Sequence, residues 1–171
     1  AMLDADDIAF SNRLEIQIQY LNEINIDLVC SKYLNENVET GKITECSYHA
    51  FMPNDTKSHM FFYDITNSTV MFKRDIVANL DQVYLNRYAE DYDLFVRLAK
   101  QYKFCIINKN LVKVRVHSES FCGQMWREIK EDIDKTRIDQ LLNLDIQPST
   151  KESLIHIALV DKNYQNLSEY P

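Results

Sequence analysis

The chain has 171 residues, enough for one domain with a sizeable core and too few for two ordinary ones. Hydrophobic residues make up 46%, charged residues 26%, and the formal net charge is -7. That is a globular composition, and its acidic balance excludes a nucleic-acid partner, whose phosphates need a concentrated basic surface. No run approaches the roughly 20 apolar residues that span a bilayer.

Only Gly41 and Gly123 are glycines, which excludes a glycine-rich phosphate loop. A nucleotide would have to be held through carboxylates and a divalent cation, which supplies positive charge locally. Cys30, Cys46, Cys105 and Cys122 contain no C-x-x-C pair, so neither a zinc knuckle nor a redox pair is indicated. Cys30 and Cys105 lie in apolar runs and read as small buried hydrophobes. The expected setting is reducing and cytoplasmic, without a disulfide.

In chain order, Asn12 and Glu15 have capping-box spacing, and Leu14, Ile18 and Leu21 follow at helical intervals. IDLVCSKY, Ile26 to Tyr33, reads as a buried strand. Lys32 to Tyr63 is polar and broken by Gly41 and Pro53, which suggests a loop with a short hairpin or helix. STVMFK, Ser68 to Lys73, is a second strand candidate. Glu90 to Gln101 reads as a helix with Leu94, Phe95 and Leu98 inside. Phe104 to Ile107 and Leu111 to His117 read as two strands separated by a turn at Asn108 to Asn110.

The last third is helical: Met125, Ile129, Ile133, Leu141 and Leu144 recur amid dense charge. Pro148 breaks the chain, and Ser149 with Glu152 makes a capping box for a helix carrying Leu154, Ile157 and Ala158. Trp126 reads as a packing anchor. Helix and strand alternate as in an α/β layer protein.

Asp4, Asp6 and Asp7 put three carboxylates within four residues of MLDADDIAF. Two carboxylates about 4 Å apart repel by roughly 4 kcal/mol at an effective dielectric near 20, so the cluster calls for water, protonation or a cation. Hard divalent ions prefer oxygen donors, and Mg²⁺ is commonly held by one or two carboxylates plus phosphate oxygens. Taken alone, the triplet fits a solvated acidic loop capping the helix that begins near Asn12 better than it fits a metal site.

Read together, four segments resemble the inverting family 2 glycosyltransferases of GT-A fold. DADDIAFSNRLEIQIQYL, Asp4 to Leu21, is similar to that family's aspartate motif and following helix. NSTVMFKRDIV, Asn67 to Val77, resembles its acceptor-side strand. EDYDLFVRLAK, Glu90 to Lys100, resembles its acidic catalytic helix, and VKVRVHSES, Val112 to Ser120, the strand and loop that close its site. The resemblance covers Asp4 to Ser120 and fades beyond.

It implies a partial GT-A-like, truncated Rossmann-like mixed sheet over residues 1–120, flanked by helices, with amphipathic helices over 121–171 packed on it. It implies transfer of a sugar from a nucleotide-diphosphate sugar to a saccharide or lipid-linked saccharide acceptor in cell-surface polysaccharide assembly. Asp91 would be the base, with Glu90 as its neighbour. Asp4, Asp6 and Arg115 would contact the nucleotide and diphosphate, while Asp6, Asp7 and His117 would hold Mn²⁺ or Mg²⁺. Without the resemblance, Glu90 and Asp91 read as a helix cap, and Lys113, Arg115 and His117 as one solvent face of a strand. His49, His59 and His156 have no comparable context.

Two departures temper the inheritance. The family's nucleotide-binding half precedes the aspartate motif, which here stands at residue four, so the sequence reads as an acceptor-side half with little activity alone. Such a sheet would expose an edge through which copies could associate, and membrane association stays open for a longer parent. NLDQVYLNRYA, Asn79 to Ala89, lacks the glycine turn common before the acidic helix, so no acceptor contacts are inherited there. The competing reading is a non-catalytic remnant serving as an oligomerisation or interaction module.

Overall fold

Two long parallel strands carry the sheet in the computed structural model, which describes residues 1–23, 25–46, 58, 60–61, 64–78, 80–85 and 88–161. They are β2 (Leu28–Asn37) and β5 (Phe104–Val116), with Leu28 beside Phe104 and Asn37 beside Val116. Three short strands pair with them antiparallel. β1 (Ile8–Ala9) lies on β5 at Lys113 and Val112, while β3 (Ile43–Glu45) and β4 (Met71–Phe72) lie on the two ends of β2. The order is β1-β5-β2-β3, with β4 also on β2. At the turn between β2 and β3, Gly41 has φ of +68°, a conformation glycine adopts without strain.

Period-two alternation sends side chains to two layers of helix. Val29, Cys105, Ile107 and Met71 meet Leu21, Ile16 and Tyr20 of α1 (Arg13–Glu23) on one side. Leu28, Cys30, Phe104 and Ile106 meet Tyr92, Phe95 and Leu98 of α3 (Glu90–Ala99) on the other. The short α2 (Asp75–Ala78) adds Ile76 to this second core. Beyond α3 lie α4 (Phe121–Gln124), α5 (Trp126–Leu142) and α6 (Thr150–Val160), with Ile133 of α5 packed on the α3 cluster.

Several expectations hold. The buried strand, the α3 inner face, the buried Cys30 and Cys105, and the capping box of α6 are all present. In that box the Glu152 carboxylate accepts from the Ser149 backbone N–H at 2.8 Å, and the Ser149 hydroxyl accepts from the Glu152 N–H at 3.3 Å. Replacing Ser149 by alanine should destabilise α6 by about 1 kcal/mol, readable as faster amide exchange in residues 150–153 with the sheet unchanged.

Other expectations are corrected. The two strands separated by a turn are a single strand, β5, because the residues read as a turn form a bulge. The register moves from Ser31–Ile107 to Lys32–Asn110 and then to Tyr33–Val112, so surplus residues of β5 are extruded while pairing with β2 continues. Ser68 to Lys73 is mostly not strand: Asn67–Thr69 form a 3-10 turn and only Met71–Phe72 pair.

In α1 the apolar Leu14 and Ile18 are 54% and 50% exposed, while Arg13 and Gln17 are the buried residues beside Leu21. The polar pair wins the inner face because it satisfies main-chain carbonyls there. Trp126, expected as an anchor, is 57% exposed, and Leu154 of α6 also faces outward. Of the Lys32–Tyr63 region, β2 runs on to Asn37 and pairs with β3 as a hairpin. The remainder from 47 to 63 lies largely outside the described residues, as do His49 and His59.

Candidate active site

The acidic motif is fixed by the strand that follows it. With Ile8 opposite Lys113 in an antiparallel pair, continuing the register brings Asp6 and Asp7 alongside Arg115. The Arg115 backbone N–H donates to Asp7 Oδ1 at 2.9 Å, and the Arg115 guanidinium reaches the Asp6 carbonyl at 3.5 Å. His117 Nε2 lies 3.1 Å from Asp6 Oδ2. Lys113 pairs instead with Glu36 at 3.2 Å, as an ordinary face residue would.

From the opposite side the 3-10 turn grips the same motif. Ser68 Oγ accepts the Asp4 N–H at 3.0 Å, and Asn67 Nδ2 donates to Asp4 Oδ1 at 3.0 Å. Beneath it, the Arg13 guanidinium donates to the Met2 carbonyl at 2.6 Å and the Val70 carbonyl at 3.2 Å. Gln17 accepts from Arg13 at 2.9 Å and donates to the Thr69 carbonyl at 2.7 Å.

Burial raises the Asp7 pKa against the opposing Ser68 and Arg115 hydrogen bonds, with the charges of Asp6 and Asp4 adding to the rise. Asp91 is the second residue of α3, and its Oδ1 accepts the Tyr92 N–H at 2.8 Å. That hydrogen bond is a cap-like role, but the carboxyl is also pushed up to about 6, first by burial, with the Glu90 and Asp4 charges adding to it. The Asp4 charge, the smallest of these influences, puts the N-terminal motif within electrostatic reach of the head of α3.

Asp64 is in similar reach of Asp91. Its carboxyl is raised to about 8 by burial and then by the Asp91 charge, while the Ile65 N–H and Arg137 of α5 oppose the rise. Both folded pKa values lie above the ordinary one, so the folded chain keeps protons that the unfolded chain has released. Stability therefore falls as pH rises from about 4 through about 8. Asp64→Asn should raise stability at pH 8 by roughly 1–2 kcal/mol, allowing for water that still reaches the half-buried side chain, and be neutral near pH 4. Thermal unfolding at the two pH values reads this out.

A divalent cation fits this chemistry in part. Asp6 and His117 turn a carboxylate oxygen and an imidazole nitrogen toward one another, and first-row divalent ions accept both donor types. Asp7 is turned instead toward Arg115 and Ser68. Among the described residues no three His, Cys, Asp or Glu side chains converge to hold an ion by themselves. The remaining positions would fall to diphosphate oxygens and water, as is common for Mg²⁺.

No family model matches the chain. It is 35% identical over 121 residues to an uncharacterized glycosyltransferase of Methanocaldococcus jannaschii, covering 68% of this chain and 41% of that protein. It is 28% identical over 128 residues to the O-antigen biosynthesis glycosyltransferase WbnJ of Escherichia coli, covering 70% and 48%. It is 26% identical over 141 residues to the UDP-Glc:alpha-D-GlcNAc-diphosphoundecaprenol beta-1,3-glucosyltransferase WfgD of Escherichia coli, covering 78% and 52%.

The chain is similar to glycosyltransferases. It spans about half the length of these relatives. Among the described residues, no helix of this glycosyltransferase-like chain is long and apolar enough to cross a membrane.

Asn67, Ser68, Asp64 and Arg13 were not singled out by sequence reasoning. Three consecutive polar residues, Asn67 to Thr69, opening an otherwise apolar strand pattern were the available signal. Asp64 carried none, since its role depends on α3 and α5 folding against it.

Proposed function

We propose that the chain is the base-bearing, acceptor-side half of an inverting, metal-dependent nucleotide-sugar glycosyltransferase of GT-A fold that acts in cell-surface polysaccharide assembly. The observation that carries this reading is the meeting of Asp6, Asp7, Arg115 and His117 where β1 pairs with β5, with the Asp91 carboxyl at the head of α3 pushed up to about 6 by burial. A general base works best when its pKa lies near the working pH. The names of the relatives support a sugar nucleotide as donor and a saccharide or lipid-linked saccharide as acceptor.

In the reaction, the acceptor hydroxyl gives its proton to the Asp91 carboxylate as its oxygen bonds to the anomeric carbon. The bond from that carbon to the diphosphate breaks on the opposite side, and the nucleoside diphosphate leaves with the electron pair. Asp6 and His117 would hold Mn²⁺ or Mg²⁺, which when bound neutralises charge growing on the leaving group. The Arg115 guanidinium lies 3.5 Å from the Asp6 carbonyl and adds a fixed positive charge. Asp4 is suited to accept a nucleotide hydroxyl hydrogen bond, and Glu90 one from the acceptor.

The test is sugar transfer by the whole protein from a panel of UDP-sugars. Anomeric couplings in the product NMR spectrum should show a configuration opposite to that of the donor. Retained configuration, or no transfer from any sugar nucleotide, would refute the reading.

A further inference from the structure

The head of α3 is held from a part of the chain that the family resemblance does not reach. Asp132, Thr136 and Gln140 of α5 recur every four residues, which sets them along one side of that helix. Asp132 Oδ2 accepts the Tyr88 backbone N–H at 3.0 Å. About two helical turns on, Gln140 Nε2 donates to the Tyr92 hydroxyl at 3.2 Å and to the Met60 carbonyl at 3.3 Å. The same hydroxyl donates to the Met60 carbonyl at 3.2 Å, which closes a triangle around a ring only 1% exposed.

Tyr88 and Tyr92 stand on either side of Asp91 in the chain. Asp91 Oδ1 accepts the Tyr92 N–H at 2.8 Å, so where Tyr92 is pinned the carboxyl is pinned with it. Ile133 of α5 already supplies apolar contact with the α3 cluster. That attraction is non-directional, whereas hydrogen bonds fix distance and angle. Direction matters for a base, because a misplacement of about 1 Å can cost about a hundredfold in rate.

We propose that Asp132 and Gln140 are positioning residues, which fix the Asp91 carboxyl by gripping the chain on both sides of it. The inference goes beyond the transferase reading and rests on it only for what Asp91 does once placed.

The experiment compares Asp132→Ala, Asp132→Asn and Gln140→Met in the whole protein by steady-state sugar transfer. The alanine and methionine variants should each lower kcat about fivefold or more and leave KM for the donor within about twofold, since only placement of the base is lost. Asp132→Asn keeps an oxygen that accepts the Tyr88 N–H and should stay within about twofold of the native kcat. Ser149→Ala, which loosens α6 and leaves α3 alone, should not change kcat. A smaller fall in kcat, a loss that lands on KM, or an asparagine variant as slow as the alanine one overturns the proposal.

If the whole protein transfers no sugar, the transferase reading fails, and NMR titration of the Asp91 carboxyl carbon in this chain decides the positioning. Its midpoint should drop from about 6 toward the ordinary carboxylate range in Asp132→Ala, as water reaches the loosened carboxyl, and hold in Asp132→Asn. An unchanged midpoint in Asp132→Ala, or an equal drop in both variants, overturns it.

Discussion

Asp91→Asn is expected to lower sugar transfer by the whole protein about a thousandfold, within the range that removing a general base usually costs. The change is nearly isosteric, and the amide oxygen can still accept the Tyr92 N–H that Asp91 Oδ1 accepts now. The head of α3 should therefore keep its place, with melting temperature unchanged or slightly raised, because a carboxyl disfavoured by burial has been removed. The loss should fall on kcat, since the proton is accepted only as the transition state forms.

Sugar transfer by the native protein is expected to climb as pH rises through about 6 and then level, following ionisation of Asp91. Initial rates at saturating donor, compared for the two proteins across pH, check the prediction. A variant within a few-fold of the native rate contradicts it.

Arg13→Ala is expected to destabilise the chain by about 3 kcal/mol. Arg13 is 1% exposed, and its guanidinium serves Gln17 and the carbonyls of Met2 and Val70. Removing it leaves buried acceptors unmade, each costing about 1–3 kcal/mol in desolvation, and opens a cavity besides. Arg13→Met restores much of the volume but none of the donors, so most of the loss should remain.

Urea unfolding of the three proteins separates the contributions. A methionine variant as stable as the native chain would show that packing, not hydrogen bonding, is the role of Arg13. The consequence reaches the site, because the Met2 carbonyl ties the segment carrying Asp4, Asp6 and Asp7 to α1. Loosening that tie should also weaken the Asp6–His117 contact.

Where apolar periodicity decided an element, the sequence was readable. β2, α3 and the capped α6 follow from their own patterns, and the α/β layering follows from their alternation. Where polar residues do structural work, periodicity misled. Leu14 and Ile18 looked like an inner face, but Arg13 and Gln17 took it, because carbonyls from two distant segments point there. The bulge in β5 was invisible because Asn108 to Asn110 has turn composition, and only pairing with β2 shows that the strand runs through.

In the site, Asp6, Asp7, Arg115 and His117 were grouped in the sequence only through the resemblance, and the short antiparallel pair that aligns them carries no signal of its own. The resemblance supplied their roles, and Asp7 turned out to be engaged with Arg115 and Ser68 rather than with Asp6 and His117. The basin formed by Asp64 and Asp91 depends on contacts between α3, α5 and the segment before the 3-10 turn, which no local pattern encodes.

The most direct test of the central claim is thermal unfolding of this chain alone, with Mn²⁺, with UDP, and with both. The account predicts a rise in melting temperature that requires both ligands together, because Asp6 and His117 offer too few donors to hold an ion unaided, and the rise should vanish in Asp6→Asn. No rise under any condition, or an equal rise in Asp6→Asn, would contradict a diphosphate–metal site here and favour an interaction module instead.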